Sequence, residues 1–429
     1  MMEPQRNEVR RELERVSADV MAHWRAGTIN AADTIMEVET TRYTNQDRHE
    51  REIATIFRRV PLMLAASGEI AAAGDFKAME VAGVPVLLVR DKEGKARAFV
   101  NSCRHRGAMM AEGCGHASRF VCPYHGWTYS LSGDLLGITA REEFGEIVKS
   151  DLRLNELPAL EKAGMIWVTL NPDSRLDIET YLAAFGDGLT LFDAERWTIV
   201  DRREMHSRSN WKLAFEAHLD WYHLPVLHRE SFGPDVSNKA LFYEYGPHQR
   251  MIRPAPEPRY IPPELELFNY VDRPASEWPV EAMLTGGWIS FPNHSLYTMY
   301  VDGVRHIQMN QIFPGASHDE STTVQYLLSE RPGSRDDLEP SRKMCDFLEH
   351  VVEVEDLQNS ARQQRCLASG VTGKLVFGRN EAGIQNHLLW VERLMAASDA
   401  ELERLFADAS RGAAAPAPAD TRGAVRESA

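Results

Sequence analysis

The sequence predicts an α+β protein in which a small all-β unit is set into a larger body of helices covering antiparallel sheet. Three observations carry this. Residues 60–165 hold short apolar runs broken by turn residues, the flanking segments show helical spacing, and three further strand-like runs lie between 295 and 328.

Residues 1–60 read as a charged helical arm, with Ile53, Ile56 and Phe57 near helical spacing. Val84 to Val89 and Ala96 to Val100 are strand-like, and Asp91-Lys92-Glu93-Gly94 between them makes a hairpin. Pro85 stands at the start of its run, where a strand tolerates a lost donor. The pattern continues from Gly126 to Gly137, with Ser132-Gly133-Asp134 as a turn. Trp211 to Tyr222 reads as a helix stopped near Pro225. Ser295–Val301, Arg305–Ile312 and Ser321–Leu328 read as antiparallel strands. Arg342 to Leu367 is a long helical segment with Phe347, Val351, Val354 and Leu357 apolar. The tail after Gly412 is low in complexity and is expected to be disordered, and no internal repeat is found.

At 429 residues the chain has room for two domains, and its 43% hydrophobic and 26% charged content is that of a globular protein. A formal net charge of -15 argues against a nucleic-acid partner, which would need a basic face. No apolar stretch is long enough to span a bilayer, and the charged start lacks the apolar core of a secretory signal. The expectation is a cytoplasmic protein with no membrane partner. Five cysteines, an odd and sparse set, do not form a disulfide framework.

Three of the five, Cys103, Cys114 and Cys122, fall within twenty residues of one another with histidines among them. Cys103-Arg104-His105 is followed, after a gap of sixteen residues, by Cys122-Pro123-Tyr124-His125. Two thiolates and two imidazoles are the ligand set of a Rieske [2Fe–2S] cluster. Zinc is the competing metal, but its sites more often space ligands as C-x2–4-C and H-x3–5-H. Cys114-Gly115-His116 also reads C-x-H, but leaves too short a span before Cys122 for two loops, so Cys114 is taken as a bystander.

Cys-Arg-His-Arg-Gly at 103–107 and Cys-Pro-Tyr-His-Gly-Trp at 122–127 resemble the Rieske domain of aromatic-ring-hydroxylating oxygenase large (alpha) subunits. Downstream, Glu216, Asp220 and His223 stand at i, i+4 and i+7, one face if the segment is helical, and His228 follows Pro225. Two imidazoles and one carboxylate form the facial triad of non-haem Fe(II) oxygenases. Glu355-Asp356, ahead of Gln364-Arg365, resembles the family's Glu-Asp…Gln-Arg segment and makes Asp356 the third ligand, with Glu355 and Glu353 as competitors. His218 lies off that face and reads as an ordinary polar helix residue. The chain departs from many relatives in having Glu216-Ala217 where they carry Glu-Asn.

The resemblance runs from the N-terminal arm to Phe377-Gly378-Arg379-Asn380. It implies an arm at 1–58, a Rieske domain at 59–168 inserted into a catalytic domain at 169–411, and a tail at 412–429. It implies one [2Fe–2S] cluster on Cys103, His105, Cys122 and His125, and one mononuclear Fe(II) on His223, His228 and Asp356. O2 and electrons from external NAD(P)H, through a reductase or ferredoxin, would hydroxylate an organic, aromatic substrate. Mono- and dioxygenation and oxidative demethylation use the same ligands, so sequence does not separate them. By the same resemblance Asp220 is a catalytic link to His105 or His125 of a neighbouring copy, in a homotrimer with or without a small beta subunit. A Rieske electron-transfer protein without oxygenase activity is the alternative, against which the 223/228/356 triad argues.

Overall fold

The computed structural model describes residues 3–257, 261–333 and 338–409. The N-terminal helix Glu3–Ala26 buries Leu13, Val16 and Val20, spaced at three and four residues, against the main core. Strand Met36–Glu39 then pairs with Lys374–Phe377, tying the arm to the C-terminal part of the chain.

The hairpin expected at 84–100 is present, with Arg90 opposite Ala96. It is the centre of a five-stranded antiparallel sheet ordered Glu156–Leu157, Ala96–Val100, Val84–Arg90, Asp75–Val81, Cys114–His116. Its run of consecutive apolar residues follows from being covered on both faces. Val86 and Leu88 point into the main core, while Leu87 and Val89 point into a small separate one with Phe99, Trp127, Tyr129 and both Cys103 and Cys122. The chain enters this unit on Leu62–Ala66 and leaves it on Met165–Val168, and these two strands pair, Leu62 opposite Val168. Entry and exit therefore lie side by side, as an inserted unit requires.

The larger body is built on a seven-stranded antiparallel sheet. Its order is Thr198–Ser207, Ser321–Ser329, Val304–Pro314, His294–Val301, Gly287–Ser290, His248–Ile252, Leu241–Tyr245. The three strands expected at 295–328 are its centre. Helical segments Glu339–His350, Val351–Leu357 and Gln358–Ala368 run on without a break and lie against the strands 198–207 and 321–329.

Two sequence expectations are corrected here. The helix expected to run to Tyr222 ends at Glu216, passes through one 3-10 turn at Ala217–Leu219, and is extended at Asp220 (φ -126°, ψ 130°). The Asp220 carboxylate accepts from the Tyr222 N–H, the kind of local side-chain bond that competes with helix. Pro225 does not stop a helix; it sits in the first turn of the next, Leu224–Leu227, where its missing N–H costs nothing. The 342–367 helix is likewise not uniform, since Val351–Leu357 is wound as a π-helix. Among the described residues no helix is long and apolar enough to cross a membrane. The tail expected to be disordered lies outside the described residues.

Candidate metal centres

Two loops of the small unit repeat one backbone design. In each, the cysteine N–H donates to the carbonyl five residues on, Cys103 to Ala108 and Cys122 to Trp127, both at 2.8 Å. The glycine four residues on returns its N–H to the cysteine carbonyl, Gly107 at 2.9 Å and Gly126 at 3.0 Å. Both glycines hold a left-handed φ, 76° and 73°, which any larger residue would adopt at a cost. At Gly126 a Cβ would also stand 2.6 Å from the Thr139 hydroxyl.

The loops face each other. The His105 and His125 rings lie 4.6 Å apart, and His105 stacks on Trp127 at 4.9 Å. Cys103 and Cys122 are buried, the former with its Sγ 3.6 Å from the Tyr129 hydroxyl, and burial pushes the Cys103 thiol pKa up. The Nδ1 atoms of His105 and His125 are buried without a hydrogen-bond partner. Leaving a buried nitrogen unpaired costs roughly 1–3 kcal/mol, so a pair of them beside two buried thiols fits a cluster with two sulfur and two imidazole ligands. Cys114 is exposed on its edge strand, and His116 is turned to Asp75 at 3.1 Å, so neither belongs to these loops.

The second constellation is assembled from three places in the chain. His223 and His228 flank the short helix 224–227, and Asp356 comes from the π-helical segment. The Nε2 atoms of the two histidines are 3.1 Å apart, and Asp356 Oδ1 lies 3.1 Å from that of His228 and 3.6 Å from that of His223. One ligand atom from each residue falls within 4.8 Å of the others, and Asp356 Oδ1 is buried without a hydrogen-bond partner. The set fits one cation with open positions.

The opposite edge of each imidazole is held by a second carboxylate. Asp220 Oδ2 lies 3.0 Å from His223 Nδ1, and Glu355 Oε2 lies 2.6 Å from His228 Nδ1. Glu355 is braced in turn by the Ser231 hydroxyl at 2.9 Å. Of the two competitors for Asp356, Glu355 thus serves the far side of His228 and Glu353 is exposed. Sequence reading missed this role of Glu355. The adjacent acidic pair was a signal, but the pairing partner is 127 residues away. Glu216 leaves the face expected for it and is buried under the Tyr43 hydroxyl, 2.7 Å away.

A cavity of about 330 Å³ opens beside the triad, lined among others by Trp221, Phe232, Tyr297, Met299, Phe347 and Val351. His218, expected to be an ordinary polar helix residue, is 8% exposed and lines this cavity. Burial lowers its pKa to about 4 and keeps it neutral.

Fold and geometry together bring two candidate metal-binding groups to separate places, a Cys/His loop pair in the small β unit and a His/His/Asp triad in the helix-covered sheet. The Rieske [2Fe-2S] domain model matches residues 60–158, and the ring hydroxylating alpha subunit catalytic domain model matches 194–397. The chain belongs to the family of Rieske-type oxygenase large subunits. It is 31% identical over 191 residues to the oxygenase subunit of glycine betaine monooxygenase from Pseudomonas aeruginosa, covering 44% of each chain. It is 33% identical over 196 residues to the alpha subunit of biphenyl 2,3-dioxygenase from Rhodococcus jostii, covering 42% of this chain and 41% of that one. The chain thus spans under half the length of these relatives. Its fold is similar to that of naphthalene 1,2-dioxygenase from Rhodococcus sp., with a TM-score of 0.68 at 22% identity, covering 91% of this chain and 99% of that one. It is also similar to a quaternary ammonium Rieske monooxygenase solved with L-carnitine, with a TM-score of 0.66 at 20% identity over 84% of this chain and 95% of that one.

Proposed function

We propose that the chain is the terminal oxygenase of a multicomponent system. It would use O2, and electrons passed from NAD(P)H by a separate reductase or ferredoxin, to hydroxylate an organic substrate. The observation that carries this reading is the presence in one chain of both constellations, the second beside a largely apolar cavity. An electron carrier needs only the first.

In this reading Cys103, His105, Cys122 and His125 hold the cluster, and His223, His228 and Asp356 hold Fe(II). When bound, the two groups supply one-electron transfer and activation of dioxygen. The chain's own contribution is positional. Asp220 and Glu355 accept from the Nδ1–H of His223 and His228, which turns each Nε2 lone pair towards Asp356. Phe232, Phe347, Val351 and Val352 line the space beside the triad with apolar side chains, and that space would hold the substrate.

An aromatic substrate is favoured over a quaternary ammonium one by a single feature of the lining. The guanidinium of Arg253, ion-paired with Glu257, lies 4.9 Å from the Trp221 ring and occupies the aromatic face a cationic head group would use. The proposed division is an arm at 1–58, a cluster domain at 59–168 and a catalytic domain at 169–411. Assembly is proposed as a head-to-tail homotrimer, with or without a small beta subunit, in which Asp220 faces a cluster histidine of the next copy. Exposed apolar residues at both centres support it: Tyr124, Phe144 and Val148 around the loops, Tyr222 and Val226 beside Asp220. The free thiols of Cys345 and Cys366 fit a reducing, cytoplasmic compartment.

The test is iron analysis with oxygen uptake. Three irons per chain and substrate-dependent uptake with a surrogate reductase are expected. Two irons and no uptake across a panel of aromatic and quaternary ammonium compounds would leave the electron carrier.

A further inference from the structure

Among the polar side chains on the cavity wall without a hydrogen-bonding partner among the described residues, Thr298 being one, are His218, 8% exposed, and Gln308, 7% exposed. Neither is left so by a crowded polar neighbourhood. On the strand that carries Gln308, the Asn310 amide donates to the Ser295 hydroxyl at 3.2 Å and the Gln311 amide to the Met63 carbonyl at 2.7 Å. The same strand therefore pairs the amide nitrogens of Asn310 and Gln311 within the protein, whereas the Gln308 side chain opens on the cavity. An amide that opens on the cavity is free to bond to what the cavity holds, whereas packing alone would be served by an apolar residue of the same length.

The two groups are held in one arrangement by Tyr297. This residue stands directly opposite Gln308 in the sheet, so both side chains leave the same face, and its hydroxyl donates to the His218 carbonyl. Two hydrogen-bonding groups thus flank Tyr297 on a wall that otherwise includes Met299, Phe347 and Val351. The charged residues nearby do not call for a charged ligand, because Arg253 pairs with Glu257 and burial pushes the Glu266 carboxyl pKa up, towards its neutral form.

We infer that the substrate is an uncharged molecule whose apolar body bears a carbonyl or hydroxyl group, and that Gln308 and His218 read that group. A carboxamide and a neutral imidazole each offer one kind of donor and one kind of acceptor, so they match either function. A bare hydrocarbon would leave both unpaired, and a trimethylammonium group can bond to neither. This rests on the oxygenase reading only for the word substrate, since binding is measurable without turnover.

The experiment is calorimetric titration of the full chain, both centres loaded and oxygen excluded, with indane, 1-indanone, 1-indanol and choline. The ketone and the alcohol are expected to bind about tenfold or more tightly than indane. Gln308→Leu should cut that preference to about threefold or less while indane affinity and iron content stay unchanged. His218→Phe should erode the same ratio, and Gln308→Met serves if the leucine variant misfolds. The inference is overturned if indane binds as well as its polar analogues, if neither analogue binds, or if choline binds more tightly. It is also overturned if the Gln308 variants weaken indane and indanone alike, since that marks a packing role. A polar preference as described, in a protein that takes up no oxygen with any compound, would defeat the oxygenase reading and leave this one standing.

Discussion

Cys103, His105, Cys122 and His125 sit at the tips of two glycine-locked loops, whereas Cys114 lies exposed on an edge strand. Replacing Cys103 by Ser or His125 by Ala is therefore expected to abolish the visible [2Fe–2S] absorption, and Cys114→Ser to leave the spectrum intact. At the other centre, Asp356→Ala should lose mononuclear iron and turnover with the cluster colour kept. Glu355→Ala should act more mildly, weakening iron affinity about 10- to 100-fold, because it frees the far edge of His228 without removing a ligand. Metal titration with an iron chelator separates the two. Glu216 gives a pH signature. Burial pushes its pKa up to about 8, so the folded state holds the proton more tightly than the unfolded chain does. The stability this contributes is complete below the unfolded carboxyl value near 4.5 and is lost as pH rises through 8. Glu216→Gln should match the wild type at low pH and become more stable above it, by on the order of 4 kcal/mol past pH 8. Thermal melts across that range check it, and parallel curves would refute the buried, protonated acid.

The π-helical turn at Val351–Leu357 lets two consecutive residues serve one imidazole, Glu355 at its Nδ1 and Asp356 at its Nε2. Such a turn is in effect one residue inserted into an α-helix, and inserted turns of this kind recur at functional sites. Deleting Val354, which is 38% exposed, should restore α-helical winding and rotate both carboxylates off His228. The expected result is a folded protein with normal cluster absorption and no mononuclear iron. The break in the helix after Glu216 works the same way. It was not legible from spacing, because Asp220 has a helical neighbour pattern, yet its backbone is extended and its carboxylate accepts from the Tyr222 N–H. The hairpin at 84–100, by contrast, was legible in full, since its turn residues and apolar runs act locally.

For the molecule as a whole, each centre has its own apolar surface: Tyr124 and Tyr222 are each 57% exposed, and Val226 80%. Light scattering is expected to give the mass of three chains. Asp220→Ala should keep both metals yet lose most product formation, and a cluster that reoxidises at the wild-type rate with substrate in that variant would sink the inter-chain link.

The sequence by itself singled out the candidate ligands that lie close together along the chain. Each Cys/His pair, and His223 with His228, falls within one loop or one turn, where spacing alone constrains geometry. It also determined the sheet segments whose apolar runs are self-evident, and through the resemblance of the acidic pair 355–356 it pointed to the third candidate ligand. Only the tertiary structure decided which of the two acids faces which edge of His228, that Glu216 turns away to Tyr43, and that His218 and Gln308 share a cavity. The reason is physical. Those relations join positions from different elements, such as residue 228 with 355 or 218 with 308, and depend on strand register and helix winding. Both are settled by packing across the whole core, not by any local run of residues.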